Sequence, residues 1–186
     1  MSRRALFWLA RFAALYGALA GLAAVLPVYR ELERPLVVLA NALLREHAME
    51  SRALSLERRG DAAVYVYALR LGEQSRRIEQ PLHAHGFVGL LFAALVASTP
   101  WPGARRFAGA LAGGVALVGA IMLLMLMSDV ESWERSAVAA MGLQPGVGPY
   151  WVPLGLVAGL HQTAAAGVIP IAYWALVAVR PGALRG

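Results

Sequence analysis

The chain has 186 residues, 59% of them hydrophobic, a net charge of +6 and no cysteine. A mean hydropathy of +0.58 lies well above that of an ordinary soluble domain, and the missing cysteines exclude disulfides, thiolate metal sites and cysteine catalysis. All 17 basic residues are Arg; they gather at the ends of apolar runs or mix with Glu between Tyr29 and Gln80, a distribution that follows membrane topology and excludes a continuous basic face for nucleic acid.

The first apolar run covers residues 5–27, with Arg3 and Arg4 ahead of it and Arg11 inside its first turns. A signal peptide shares the basic start and apolar middle. Here no small-x-small site leads into a polar mature start; Pro27, Val28 and Tyr29 follow instead. The pattern predicts a retained helix, with Arg11 extending its side chain to the cytoplasmic interface.

Residues 28–81 form the one sizeable insert between apolar runs. From 31 to 47, Leu32, Leu36, Leu39, Leu43 and Leu44 recur at helical spacing, with Glu33, Arg45 and Glu46 elsewhere. This predicts an amphipathic helix lying on the membrane or capping a bundle, with Pro35 in its first turn. Residues 51–57 and 62–71 read as two strands, the second rich in Val and Tyr, joined through Arg59-Gly60-Asp61 as a turn. Val64, Val66 and Ala68 then face opposite to Tyr65, Tyr67 and Leu69. An isolated two-stranded hairpin is marginal in water, so it needs a helix, the membrane or a partner over one face, which makes Tyr65 and Tyr67 candidate partner contacts. Arg-Gly-Asp also matches the integrin tripeptide, but a match this short is expected by chance.

Three further runs follow. The second predicted span, 82–99, opens with His83 and His85 and stops at Thr99-Pro100-Trp101-Pro102. The third, 107–127, carries no charge. The fourth, 151–179, contains His161, Gln162, Thr163 and Pro170 and is long enough to tilt or kink. The sequence-based fold is an all-α membrane protein of four transmembrane helices in a single integral-membrane domain, with a periplasmic amphipathic helix and β-hairpin between the first two spans. Placing both termini and the turn 100–106 in the cytoplasm gives that side Arg3, Arg4, Arg11, Arg105, Arg106, Arg180 and Arg185 with no acidic residue. The opposite side then holds ten Arg against all 11 Asp and Glu; the short flanks on the proposed inside are purely basic, and short flanks weigh most in the positive-inside rule.

Among candidate chemistry, His161-Gln162-Thr163 is the most prominent polar cluster in a span, and intramembrane ionisable groups are functional candidates. One reading makes His161 a haem or metal ligand together with His83 or His85. The other counts back from Arg180 and places His161 at the outer interface, where its polar tip meets headgroups or water. Gly17/Gly21, Gly109/Gly113 and Gly155/Gly159 are spaced for close helix packing; Gly109, Gly113, Gly155 and Gly159 are therefore candidate contacts with a membrane partner. Asp129, Glu131, Trp133 and Glu134 read as a solvated acidic flank beside an interfacial Trp. Ser98, Ser128, Ser132 and Ser136 have no recognisable His/Asp set, and no P-loop, dinucleotide fingerprint, metalloprotease motif or nucleophile elbow occurs. The expectation is a non-enzyme without cofactor or resident metal.

The stretch His85-Gly86-Phe87-Val88-Gly89-Leu90-Leu91-Phe92, running to Ala97-Ser98-Thr99-Pro100, together with Gln162, Gly167, Pro170 and Trp174, resembles the exosortase H-associated membrane protein family of bacteria. The similarity is one of layout over most of the chain. It implies an accessory role at the inner membrane beside an exosortase, an integral-membrane cysteine transpeptidase-like enzyme that processes C-terminal sorting signals. This chain, lacking Cys, is not the exosortase itself, and the resemblance brings no site residues with it. Its implied partners are membrane lipids and the exosortase.

Overall fold

A computed structural model describes residues 3–25, 28–44, 51–59, 62–81, 86–143 and 165–178. In chain order these form helices α1 (Arg3–Val25) and α2 (Val28–Leu44), strands β1 (Ser51–Arg59), β2 (Ala62–Leu71) and β3 (Gln74–Pro81), and helices α3 (Gly86–Ser98), α4 (Ala104–Ala140) and α5 (Ala165–Ala178).

This architecture corrects the expected four-span, all-α fold with a hairpin insert. The insert holds a three-stranded antiparallel sheet, and among the described residues only α1 and α4 are long and apolar enough to cross a membrane. The reason is length. With 13 and 14 residues, α3 and α5 rise only about 20 Å each, against a hydrocarbon core of about 30 Å. Residues 151–164 of the expected fourth span lie outside the described residues.

The chain divides into two compact units. The first contains α1, α3, α5 and the part of α4 up to Ile121. Helix α3 is its centre and packs against α1 and α5. Val88, Leu90, Phe92, Ala94, Leu95, Val96 and Ser98 of α3 are all buried. Helix α4 approaches closely because it has glycine where a side chain would collide. A Cβ on Gly114 would overlap the Phe92 ring, and one on Gly113 would overlap the Tyr173 hydroxyl. The Phe92 and Tyr173 rings lie 6.0 Å apart. The outside of this unit is also apolar: Leu6, Phe7, Leu9 and Leu22 of α1, Phe107, Leu111 and Val115 of α4, and Val168, Ile171 and Leu176 of α5 are exposed.

The last carbonyls of α3 are taken up by side chains rather than left for water. Leu95 O accepts from Ser98 Oγ (3.0 Å) and Thr99 Oγ1 (2.7 Å). Val96 O accepts from the Thr99 amide (3.3 Å) and from Trp101 Nε1 (2.8 Å). Ala97 O accepts from Arg11 Nη2 at 3.0 Å. Arg11, expected to reach for the interface, therefore serves as a helix C-cap, where a cation also suits the helix dipole. Thr99 Oγ1 in turn accepts from Trp174 Nε1 at 2.7 Å, and Trp174 stacks on Trp8 with centroids 5.1 Å apart.

The second unit contains α2, the sheet and α4 from Met122 onward. Its strand order is β1-β2-β3. The β1–β2 register sets Arg52 opposite Leu69, Leu54 opposite Tyr67 and Leu56 opposite Tyr65. The β2–β3 register continues these rows to Arg76, Ile78 and Gln80. Gly72 and Glu73 make the two-residue link from β2 to β3. Gly72 has φ of 58° and no non-glycine among the described residues has positive φ, the signature of a type II′ hairpin turn with Gly first. Helix α2 starts three residues ahead of the predicted 31, so Pro35 falls inside it rather than in its first turn.

Candidate interaction surface

One face of the sheet is packed; the other carries exposed charges, with Val66 buried among them. On the packed face, Leu54, Tyr65, Tyr67 and Leu69 are buried. They meet the polar half of α4, whose Leu126, Met127, Val130, Trp133 and Ala137 are buried at intervals of three and four residues. The Tyr65 and Trp133 rings lie 5.7 Å apart. At the centre of this face Glu134 uses both carboxylate oxygens. Oε1 pairs with Arg52 Nη2 at 2.8 Å, and Oε2 accepts from the Tyr67 hydroxyl at 3.0 Å. Arg52 and Tyr67 stand diagonally on neighbouring strands, so one carboxylate fastens two strands to the helix.

Two further contacts close this unit. Arg76 Nη2 of β3 donates to Ala140 O at 3.1 Å, at the end of α4. There Leu143 N bonds Val138 O (3.2 Å), Gly142 N bonds Ala139 O (2.9 Å), and Gly142 has φ of 73°. This is a Schellman stop, with glycine in the left-handed position it requires. At the other side of the sheet, the Asn41 amide of α2 caps the outer edge of β1. Its Nδ2 donates to Leu54 O at 2.6 Å, and its Oδ1 accepts from Leu54 N at 2.9 Å. The side-chain amide thus stands in for a neighbouring strand and covers an edge that would otherwise invite pairing.

The other face carries a charge bridge. Arg77 of β3 binds Glu79 on its own strand at 3.2 Å and, across β2, Glu57 of β1 at 2.7 Å. All three side chains are substantially exposed.

The residues singled out from sequence separate accordingly. Tyr65 and Tyr67, expected as contacts for a partner, are 0% exposed; helix α4 of the same chain is what covers them. Gly113 packs against Tyr173, whereas a Cβ on Gly109 would meet nothing within 4 Å. His83, His85, His161, Gly155 and Gly159 lie outside the described residues, as do Gly60 and Asp61 of the expected turn. Among the described residues no group of three or more His, Asp or Glu is placed to hold a metal ion. The acidic stretch after the third apolar run is not simply a solvated flank: Trp133 is buried and Glu134 is the clamp. The signal for this was present in sequence. The spacing Leu126/Met127, Val130, Trp133, Ala137 carries the helical stripe well past Ser128, where hydropathy alone ends the helix.

No family model, curated protein or solved structure matches this chain.

Proposed function

We propose that this chain is a non-catalytic, multi-pass accessory protein of the bacterial inner membrane. It holds a small folded unit at the membrane surface for a membrane-protein partner, an exosortase-type sorting enzyme. The observation that carries the reading is helix α4. It is one unbroken helix of 37 residues, about 55 Å long. Its first half is apolar on exposed and buried sides alike, and its second half is a two-sided helix docked to a sheet through Trp133 and Glu134. A helix built this way has one half suited to lipid and one half suited to a water-exposed fold.

Charge supports the same reading. Arg105 and Arg106 stand at the start of α4, which has no acidic residue in its first turn. Cations there oppose the helix dipole, so helix stability does not account for them; the positive-inside rule does. The cytoplasm is then on the Arg105/Arg106 side of α4. The side-chain capping of α3 also suits a setting where water cannot serve its last carbonyls. The naming of the partner rests on the resemblance of residues 85–100 and of Gln162, Gly167, Pro170 and Trp174 to the exosortase H-associated family.

The test is an affinity pull-down of the tagged protein in mild detergent, with an absorption spectrum of the same sample. The expected result is a colourless preparation carrying a polytopic, Cys-containing protease. Repeated failure to co-purify or crosslink with an exosortase overturns the partner, and a Soret band transfers the function to His83, His85 and His161 as haem ligands.

A further inference from the structure

Helix α2 is apolar on two opposite faces, one buried and one exposed. Leu36, Val37, Ala40 and Leu44 are buried, and α2 packs on β1. Half a turn round, Pro35, Val38, Leu39, Ala42 and Leu43 are exposed, Val38 at 69%, Leu39 at 51% and Leu43 at 39%. These positions recur at three- and four-residue steps, so they form one continuous ridge. The charged residues of the exposed side, Glu31 and Arg34, pair with each other at 2.9 Å before the ridge begins.

Among the described residues of the second unit, the exposed large apolar side chains are Val38, Leu39 and Leu43 of this ridge together with Leu124 and Leu143. The outward sheet face is charged instead. Among the described residues the ridge is therefore a localised feature. Its place in the chain suggests the occupant. Only Leu26 and Pro27 separate α2 from α1, so covalent geometry holds the two helix ends within about 11 Å. Helix α1 has an apolar window, Leu6–Ala23, of which only 6% is buried. A helix that begins two residues after a helix proposed to lie in lipid, with an exposed apolar ridge, has the membrane interface as its nearest apolar phase.

We infer that the ridge Pro35–Val38–Leu39–Ala42–Leu43 lies in the lipid headgroup–acyl boundary. Helix α2 is then a two-sided adaptor: Asn41 and the buried face hold the edge of the sheet, and the ridge holds lipid. The folded unit is fastened to the bilayer surface at α2 as well as through α4. This inference rests on the proposed embedding of α1.

The natural absence of Cys makes the test free of background. Single substitutions Val38→Cys, Leu39→Cys and Leu43→Cys are labelled with an environment-sensitive fluorophore in full-length protein. The labelled protein is reconstituted at low protein-to-lipid ratio into phosphatidylcholine–phosphatidylglycerol vesicles. Leu9→Cys and Leu22→Cys report on α1, and Arg70→Cys on the exposed sheet. The expected result is quenching of the three ridge labels by shallow spin-labelled lipid several-fold above Arg70→Cys, with weak quenching by aqueous iodide. Iodide quenching of the ridge equal to that of Arg70→Cys, with α1 labels still lipid-quenched, overturns the inference and leaves the embedding of α1 standing. Iodide quenching of Leu9→Cys and Leu22→Cys as well removes the embedding and the inference together. Ridge labels shielded from both quenchers indicate a protein cover, a second copy of this chain, and likewise overturn the lipid assignment.

Discussion

Glu134 illustrates how much one side chain decides here. Its carboxylate is mostly buried between Arg52 and the Tyr67 hydroxyl, and each oxygen has one donor. Removing one member of such a pair strands the other in a poorly solvated place, so Glu134→Leu and Arg52→Met are each expected to destabilise the sheet unit by about 2–3 kcal/mol. The double variant replaces the pair with apolar volume and is expected to cost less than the sum, with a coupling of about 1–3 kcal/mol. Hydrogen exchange of the β1 and β2 amides reads this as faster opening in each single variant and partial recovery in the double. Additive single effects would mean that the ion pair does not fasten the sheet. None of this was legible from Glu134 in the sequence, where it stands among Asp129, Glu131 and Glu134 as one acid of several. The partners are more than 60 residues away along the chain, and only the sheet register brings Arg52 and Tyr67 to one point. Asn41 is a similar case. An Asn in a leucine-rich helix has no recognisable role until the edge of β1 is placed beside it.

At the scale of elements, the difference between Gly113, Gly114 and Gly109 separates packing from spacing. The spacing of Gly109 and Gly113 suggested one small-residue face, but Gly114 meets Phe92 and Gly109 meets nothing. Gly114→Ala is expected to destabilise the first unit by about 1–3 kcal/mol through overpacking, and Phe92→Leu in the same chain to relieve it. Gly109→Ala is expected to be neutral or to gain up to about 1 kcal/mol from helix propensity. Thermal unfolding in detergent distinguishes the three. Equal effects of Gly109→Ala and Gly114→Ala would contradict the packing.

Elements also differed in how far the sequence announced them. Helix α1, the apolar half of α4 and strands β1 and β2 carry strong hydrophobic periodicity or Val/Tyr content and were visible at once. Strand β3 was not, because Gln-Ser-Arg-Arg-Ile-Glu-Gln-Pro offers one large apolar residue, Ile78. It is a strand because the Gly72-Glu73 turn returns the chain along β2 and because Arg76 and Arg77 find partners at the end of α4 and on β1. Apolar content likewise overstated α3 and α5. Both are hydrophobic on nearly every side, yet 13 and 14 residues are too few to cross a bilayer as straight helices. Hydropathy measures what a segment can be buried in, and α3 is buried in protein.

For the whole molecule, α4 is the element on which the reading depends, since it belongs to both compact units. If its apolar half lies in lipid, the exposed Phe107, Leu111 and Val115 face hydrocarbon. If instead the chain is water-soluble, those same side chains face water. The charge order along α4, with Arg105 and Arg106 before the apolar half and Asp129, Glu131 and Glu134 after it, was plain in the sequence.

The most direct measurement is a single-cysteine scan of α4 in intact membranes with a membrane-impermeant maleimide, using the chain's own lack of Cys. Membrane embedding predicts no labelling at Phe107→Cys, Leu111→Cys and Val115→Cys. It predicts labelling at Ser132→Cys, Arg135→Cys and Ser136→Cys, and protection at Val130→Cys and Ala137→Cys beneath the sheet. Labelling at 107, 111 and 115 as strong as at 132, 135 and 136 would put both halves of the helix in water and contradict the membrane reading.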